Sequence, residues 1–219
     1  MRALITGGTG RVGSAIAARL EQDGWTVVAA GRADGDLAEV EQTRALVARA
    51  VEELGGLDLL VNAAGEGFAP KPLEKLDEHD WDAAFGVTAK GSFFVSQAAA
   101  PHLRASRGCI VMIEDVAGYQ PWPSFAAHSA AKAAQAMLTR VLARVLAPEV
   151  RVCGVAPGPV AVAPGQEERR AAETLLERVG SPEDVANAVA YLAGADFVTG
   201  TTLFVDGGRL LKSGLAPGS

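Results

Sequence analysis

The chain alternates between two hydrophobic patterns. Short, nearly unbroken apolar runs occupy Arg2–Thr6, Thr26–Ala30, Leu57–Asn62, Cys109–Ile113, Val150–Val155 and Thr202–Val205. Runs this short and this apolar predict parallel strands buried on both faces. Between them, apolar residues recur at helical spacing over Val12–Gln22, Leu37–Leu54, Trp81–Leu103, Ala126–Leu146 and Pro182–Ala193. These stretches predict amphipathic helices. The last opens on Ser181-Pro182-Glu183-Asp184, with a Ser cap, a Pro in the first turn and acids at the positive end of the helix dipole. Strand–helix alternation predicts an α/β fold: a Rossmann-like, doubly wound parallel sheet in three layers, α/β/α, with right-handed crossovers.

One unit is missing from that plan. A doubly wound dinucleotide domain usually follows its second strand with a helix and a third strand, in sheet order 3-2-1-4-5-6. Here Val27–Arg32 runs through Ala33-Asp34-Gly35-Asp36-Leu37 directly into the next helix. The expectation is a sheet trimmed by one edge strand–helix unit, leaving the adenine side of a nucleotide groove more open.

Length and charge narrow the picture. The 219 residues suffice for one domain, expected over 1–212, with 213–219 as a loose tail. The formal net charge of −6 argues against nucleic acid as a partner. No apolar run is long enough for a membrane helix, so no membrane partner is expected. The N-terminus enters a strand at once, as a domain start does and a signal peptide does not. Cys109 and Cys153 lie in apolar strand contexts and predict buried thiols in a reducing cytoplasm. No metal-ligand spacing occurs.

Candidate chemistry sits at the strand ends. Thr6-Gly7-Gly8-Thr9-Gly10-Arg11-Val12-Gly13 links a predicted strand to a predicted helix. In that context glycines let the backbone approach a pyrophosphate, whose charge meets the free N–H groups of the helix start. Arg32 directly follows the second strand, where an Arg accommodates the 2′-phosphate of NADP and an acid would bind the NAD ribose. Further along come Asn62-Ala63-Ala64-Gly65, Pro157-Gly158-Pro159-Val160 and Val205-Asp206-Gly207-Gly208. Between them, Asp115 precedes His128-Ser129-Ala130-Ala131-Lys132 by thirteen residues.

Together these segments resemble the short-chain dehydrogenase/reductases from Thr6 to Gly208. The resemblance implies NADP as cofactor, with NAD possible. It implies a cofactor contacted by Gly7, Thr9, Arg11, Val12, Gly13, Arg32, Asp36, Leu37, Asn62, Ala63, Ala64, Lys132, Pro157, Gly158 and Val160. Asp36-Leu37 resembles the pair that follows the missing strand. The glycine loop fits two family variants, T-G-x-x-G-x-x-G and T-G-x-x-x-R-x-G. The second, with Asp115 and Gln120-Pro121, is similar to the pteridine reductases.

The catalytic pattern departs from the family. Its Tyr-x-x-x-Lys reads here as His128 and Lys132, its Ser as Asp115 and its Asn as Thr88, and Val162 stands where many members have a Thr. A free phenol has a pKa near ~10 and an imidazolium near ~6.5, so His128 is a stronger acid when charged. Asp115 favours imidazolium and a nearby Lys132 ammonium disfavours it. The imidazole also ends roughly 2 Å short of a phenol oxygen, and ~1 Å can cost a hundredfold. Two readings stay open. One is a reductase of a small cyclic or carbonyl compound, with Asp115, His128 and Lys132 as its catalytic group. The other is a non-enzymatic nucleotide-binding or scaffold protein. Glu66, Phe68, Tyr119, Trp122 and Phe125 are candidates to hold a flat small-molecule substrate or to form a subunit seam. Gln166–Val179 predicts a charged helix in the place of the family's substrate lid. The resemblance also implies a homodimer or homotetramer paired through Gly91–Leu103 and Ala126–Leu146.

Overall fold

The computed structural model describes residues 1–65 and 69–212. Glu66, Phe68 and the expected tail lie outside the described residues. Six parallel strands form one sheet: β1 Arg2–Thr6, β2 Thr26–Ala30, β3 Leu59–Asn62, β4 Cys109–Ile113, β5 Arg151–Pro157 and β6 Thr202–Val205. Their order is β2-β1-β3-β4-β5-β6. The trimmed unit is therefore absent as expected, and β2 is the sheet's edge.

Helices cover both faces. On one side α1 (Arg11–Gln22) and α7 (Pro182–Gly194) bury Ile16, Leu20, Val185, Val189 and Leu192 against the sheet. On the other, α2 (Val40–Leu54), α4 (Ser92–Ser106) and α5 (Ala126–Leu146) bury Leu46, Val95, Leu103 and Leu142. The central strands β3 and β4 are buried throughout, as their unbroken apolar runs require. The two edges correct the expectation of strands buried on both faces. β2 is only partly covered, and Leu203 and Phe204 of β6 are 38% and 41% exposed. An edge strand lacks one neighbour, and apolar composition alone does not register that loss.

Two predicted helices also need correction. The long helix over Trp81–Leu103 is three pieces: α3 (Glu78–Phe85), a π-helical turn over Gly86–Gly91, and α4. The turn places Thr88 in the interior, and such π turns inside helices recur at functional sites. The helix over Gln166–Val179 exists only as α6, Glu167–Ala171. After it the chain turns, with the Thr174 hydroxyl donating to Ala171 O and Arg178 O. The amides of Leu175 and Leu176 both donate to Gly207 O, and both leucines are exposed. The predicted apolar face therefore never forms.

The start of α7 is as the sequence implies. Asp184 N donates to Ser181 Oγ at 3.3 Å and Ser181 N donates to Asp184 Oδ2 at 2.9 Å, a reciprocal cap. Ser181→Ala should cost about 1 kcal/mol, read as a lower denaturant midpoint with unchanged slope. An unchanged midpoint would show that Asp184 alone suffices.

Candidate active site

The carboxyl ends of the strands meet two clefts that share Gly65. The smaller, about 560 Å³, is lined by Gly7, Thr9, Arg32, Asp36, Leu37 and Ala64. The larger, about 1070 Å³, is lined by Arg11, Val12, Asp115, His128, Lys132 and the segment from Pro157 to Ala163. A ligand spanning both would run from the end of β2 to the head of α5, past the glycine loop. This is the strand-end crevice where open α/β sheets take ligands.

The glycine loop has the shape that a nucleotide cradle needs. Gly7 has φ +67°, and a Cβ there would lie 2.7 Å from the Ala63 carbonyl and the Ala64 backbone. Gly13 lets α1 close on the loop, because a Cβ would meet Gly7 O at 2.2 Å. No side chain would leave room for β1's turn to lie so near β3. The residues present thus fit a dinucleotide along the track. Asp36 accepts from Ala38 N at 2.9 Å, which holds the turn lining the smaller cleft. Arg11 Nη1 donates to Val162 O at 3.4 Å, linking the glycine loop to the segment after β5. In that segment Ala161 has φ +50°, a left-handed conformation that a non-glycine residue adopts at some cost.

Not every predicted contact faces the clefts. Asn62 is buried, and its Nδ2 donates to Ser96 Oγ at 3.0 Å and to Met112 Sδ at 3.3 Å. It braces β3 against α4. Ala63 packs toward the α1 side of the sheet, and its N–H donates to Thr6 O. Trp122 and Phe125 line the larger cleft. Tyr119 does not: its ring packs edge-on to Phe204 and its hydroxyl donates to Glu114. Burial and the Glu114 carboxylate push the Tyr119 phenol well above its usual value.

The predicted catalytic residues do come together. α5 carries His128 and Lys132 one turn apart, both buried, and β4 delivers Asp115 beside them. His128 Nε2 lies 3.4 Å from Asp115 Oδ2. Lys132 Nζ donates to Ile113 O at 2.8 Å and to Gln135 Oε1 at 2.9 Å. Gln135 in turn donates to Ser92 Oγ at 2.9 Å. An ammonium has three donors; the third is left for the cleft that Lys132 lines. Burial pushes Lys132 below its ordinary value, while Asp115 and Glu114 pull it upward. Thr88 meets His128 on the lining of a third hollow, about 480 Å³, between α3 and the head of α5.

Sequence reasoning missed the residue behind this group. Glu114 is buried and accepts from Thr139 Oγ1 at 2.6 Å and Thr202 Oγ1 at 3.1 Å, besides Tyr119. It ties β4 to α5 and β6. Its one visible signal was an acid at the end of an otherwise apolar strand.

A family profile described as enoyl-(acyl carrier protein) reductase matches residues 32–209. The chain belongs to the short-chain dehydrogenase/reductases, a family of NAD(P)-dependent oxidoreductases. It is 35% identical to 3beta-hydroxysteroid dehydrogenase 1 of Eggerthella lenta, over 96% of this chain and 94% of that one. It is also 35% identical to the 4-formylbenzenesulfonate dehydrogenase of Comamonas testosteroni, over 94% of this chain and 96% of that one. Among solved structures, the 3-ketoacyl-(acyl-carrier-protein) reductase of Brucella melitensis, complexed with NADH, superposes with a TM-score of 0.89 at 27% identity. That match covers 95% of this short-chain dehydrogenase/reductase and 97% of the Brucella chain. Among the described residues no His, Cys, Asp and Glu cluster could hold a metal, and no helix is long and apolar enough to cross a membrane.

Proposed function

We propose that this chain is an NADP(H)-dependent reductase of a small cyclic or carbonyl compound, similar to pteridine reductases, with His128 in the place of the family's Tyr. The observation that carries this reading is the convergence of His128 Nε2 and Asp115 Oδ2, 3.4 Å apart, beside the buried Lys132. Of these two tips the imidazolium N–H is the one that can donate to a substrate oxygen, and the carboxylate, acceptor-only, holds the ring. The nicotinamide supplies the hydride when bound. His128, as imidazolium, gives its proton to the oxygen that becomes the hydroxyl. Asp115 fixes the ring, as a carboxylate does for a catalytic histidine elsewhere. Lys132 turns its remaining donor toward the ribose end of the cleft, while Ile113 O and Gln135 hold it in place. Arg11, Asp115 and Gln120-Pro121 support the likeness to pteridine reductases. The named substrates of the relatives share only a carbonyl or carbinol carbon, so nothing narrower is taken from them. The test is NADPH oxidation against dihydropterins, quinones and small carbonyls. A complete lack of turnover leaves a nucleotide-binding protein instead.

NADP over NAD is read from Arg32 on the smaller cleft. The nearby Asp34 carboxylate accepts from Gly31 N at 2.7 Å and closes its own turn. A charge-assisted contact to a 2′-phosphate contributes about 1.5–3 kcal/mol, so Arg32→Asp should shift the NADPH:NADH preference by about 10- to 100-fold. Calorimetric titration with both cofactors measures it. Equal binding of both by the wild type would refute the assignment.

A homodimer or homotetramer in the cytoplasm completes the proposal. α5 leaves Met137, Val141 and Val145 45–61% exposed, a face suited to pairing. Light scattering reads the state directly, and a monomer would refute it.

A further inference from the structure

Arginines gather on the larger cleft. Arg169, Arg170 and Arg209 all line it. Glu173 is the carboxylate that pairs with them, and it is shared, while Asp115 and Asp206 also act on Arg209 from nearby. Arg170 Nη1 reaches both of its oxygens, at 3.0 and 3.1 Å, and Arg209 Nη2 reaches Oε2 at 2.9 Å. Arg169 meets Gln166 Oε1 at 3.5 Å. Asp206, beneath Arg209, spends its oxygens on the amides of Gly208 and Leu210. Five basic side chains, Arg11, Lys132, Arg169, Arg170 and Arg209, line the cleft against two acids, Glu114 and Asp115, and an excess of one sign focuses its field on an entering ligand. The excess is local, because the chain as a whole carries −6.

Arg209 is also held in a fixed pose. Its guanidinium carbon lies 4.6 Å from the centroid of the Trp122 ring, and its side chain is only 14% exposed. Stacking of this kind orients the planar fork. A guanidinium has five N–H donors, and the contact with Glu173 uses one of them. Trp122 packs edge-on to Phe125, 5.7 Å between ring centres, and both rings line the same cleft as His128. A desolvated, oriented arginine that shares its one ion-pair partner with Arg170 beside an aromatic floor is suited to one ligand feature, a planar anion.

We propose that the substrate of this site carries a carboxylate, bound by Arg209 and Arg170 with Trp122 as platform, while its carbonyl lies toward His128 and Asp115. The proposal rests on the reductase reading for the carbonyl, but the anion site itself does not. Arg209 and Arg170 are binding residues in it, and the aromatic floor takes the flat part of the substrate.

Benzoate and its uncharged analogue benzamide are the probes, titrated into the protein saturated with NADP⁺ and followed by tryptophan fluorescence and calorimetry. The wild type should bind benzoate at least about tenfold more tightly than benzamide, a preference of about 1.4 kcal/mol. Added NaCl should erode that preference. Arg209→Gln and Arg170→Gln should each reduce it severalfold, and Arg209→Lys should restore only part of it, since an ammonium lacks the fork. Arg44→Gln, an exposed change on α2, should leave it intact. Equal binding of the two probes by the wild type overturns the proposal without needing any variant. So does a preference that survives the Arg170→Gln/Arg209→Gln double change. Benzoate binding to the apo protein that is lost in the NADP⁺-saturated protein also overturns it, because the arginines would then serve the cofactor. A parallel assay separates the two readings: NADPH oxidation with benzaldehyde and 4-carboxybenzaldehyde. Turnover of both at equal kcat/KM refutes the anion site and keeps the reductase. Selective benzoate binding with no turnover of any carbonyl keeps the anion site and refutes the reductase.

Discussion

His128→Ala should lower turnover by about 10²- to 10⁴-fold, the range set by loss of a positioned proton donor. Cofactor binding should change little, because Lys132 and the glycine loop remain. Asp115→Asn removes the carboxylate 3.4 Å from His128 Nε2 and should lower turnover by loosening the ring's pose. His128→Tyr places a phenol beside Lys132 and should raise the rate. The measurement is initial-rate NADPH oxidation across pH for the four proteins. If His128→Ala matches the wild type at every pH, His128 is not the donor and its place near Asp115 is structural.

How far this site could be read in advance depends on distance along the chain. Asp115, His128 and Lys132 were legible because thirteen- and four-residue spacings survive as pattern. The interior strands were legible for a similar reason. β3 and β4 are buried on both faces, so every position but Asn62 at the end of β3 is apolar. β2 and β6 have equally apolar sequences yet lie at the edges, and only the sheet order reveals it. The π turn at Gly86–Gly91 keeps helical spacing on either side and so hides within an amphipathic pattern. Gln166–Val179 misled in the opposite way. Its alanines and leucines fall on one helical face, but Leu175 and Leu176 instead anchor their backbone to Gly207. Glu114 and Arg209 were invisible as functional groups because their partners are remote. Glu114 meets Thr202 from 88 positions away. Arg209 rests on Trp122 through a fold in which the chain's last described helix, Arg209–Lys212, returns to the site.

Glu114→Ala should be the most destabilising single change in this region. The carboxylate gathers three hydroxyls, from Tyr119, Thr139 and Thr202, and all three donate to it inside the protein. Truncation removes that acceptor and opens a hole between β4, α5 and β6, leaving Tyr119 OH to Thr202 Oγ1 at 2.9 Å and Thr139 Oγ1 to Gln135 O at 3.5 Å. Each hydroxyl that loses its carboxylate partner costs about 1–3 kcal/mol, and these remaining contacts keep the total below the plain sum. A loss of about 3–5 kcal/mol is expected, large against a typical domain stability of about 5–15 kcal/mol. Glu114→Gln keeps one acceptor oxygen and the volume, so it should lose clearly less. Urea unfolding of the three proteins measures both. The functional consequence follows from position, since Thr139 lies on the helix that carries His128 and Lys132, and Asp115 is the next residue after Glu114. Glu114→Gln should therefore alter kcat more than cofactor affinity, through the register of α5 against β4. A Glu114→Ala protein with wild-type stability would mean that water replaces the carboxylate among the hydroxyls, and that Glu114 does not set that register.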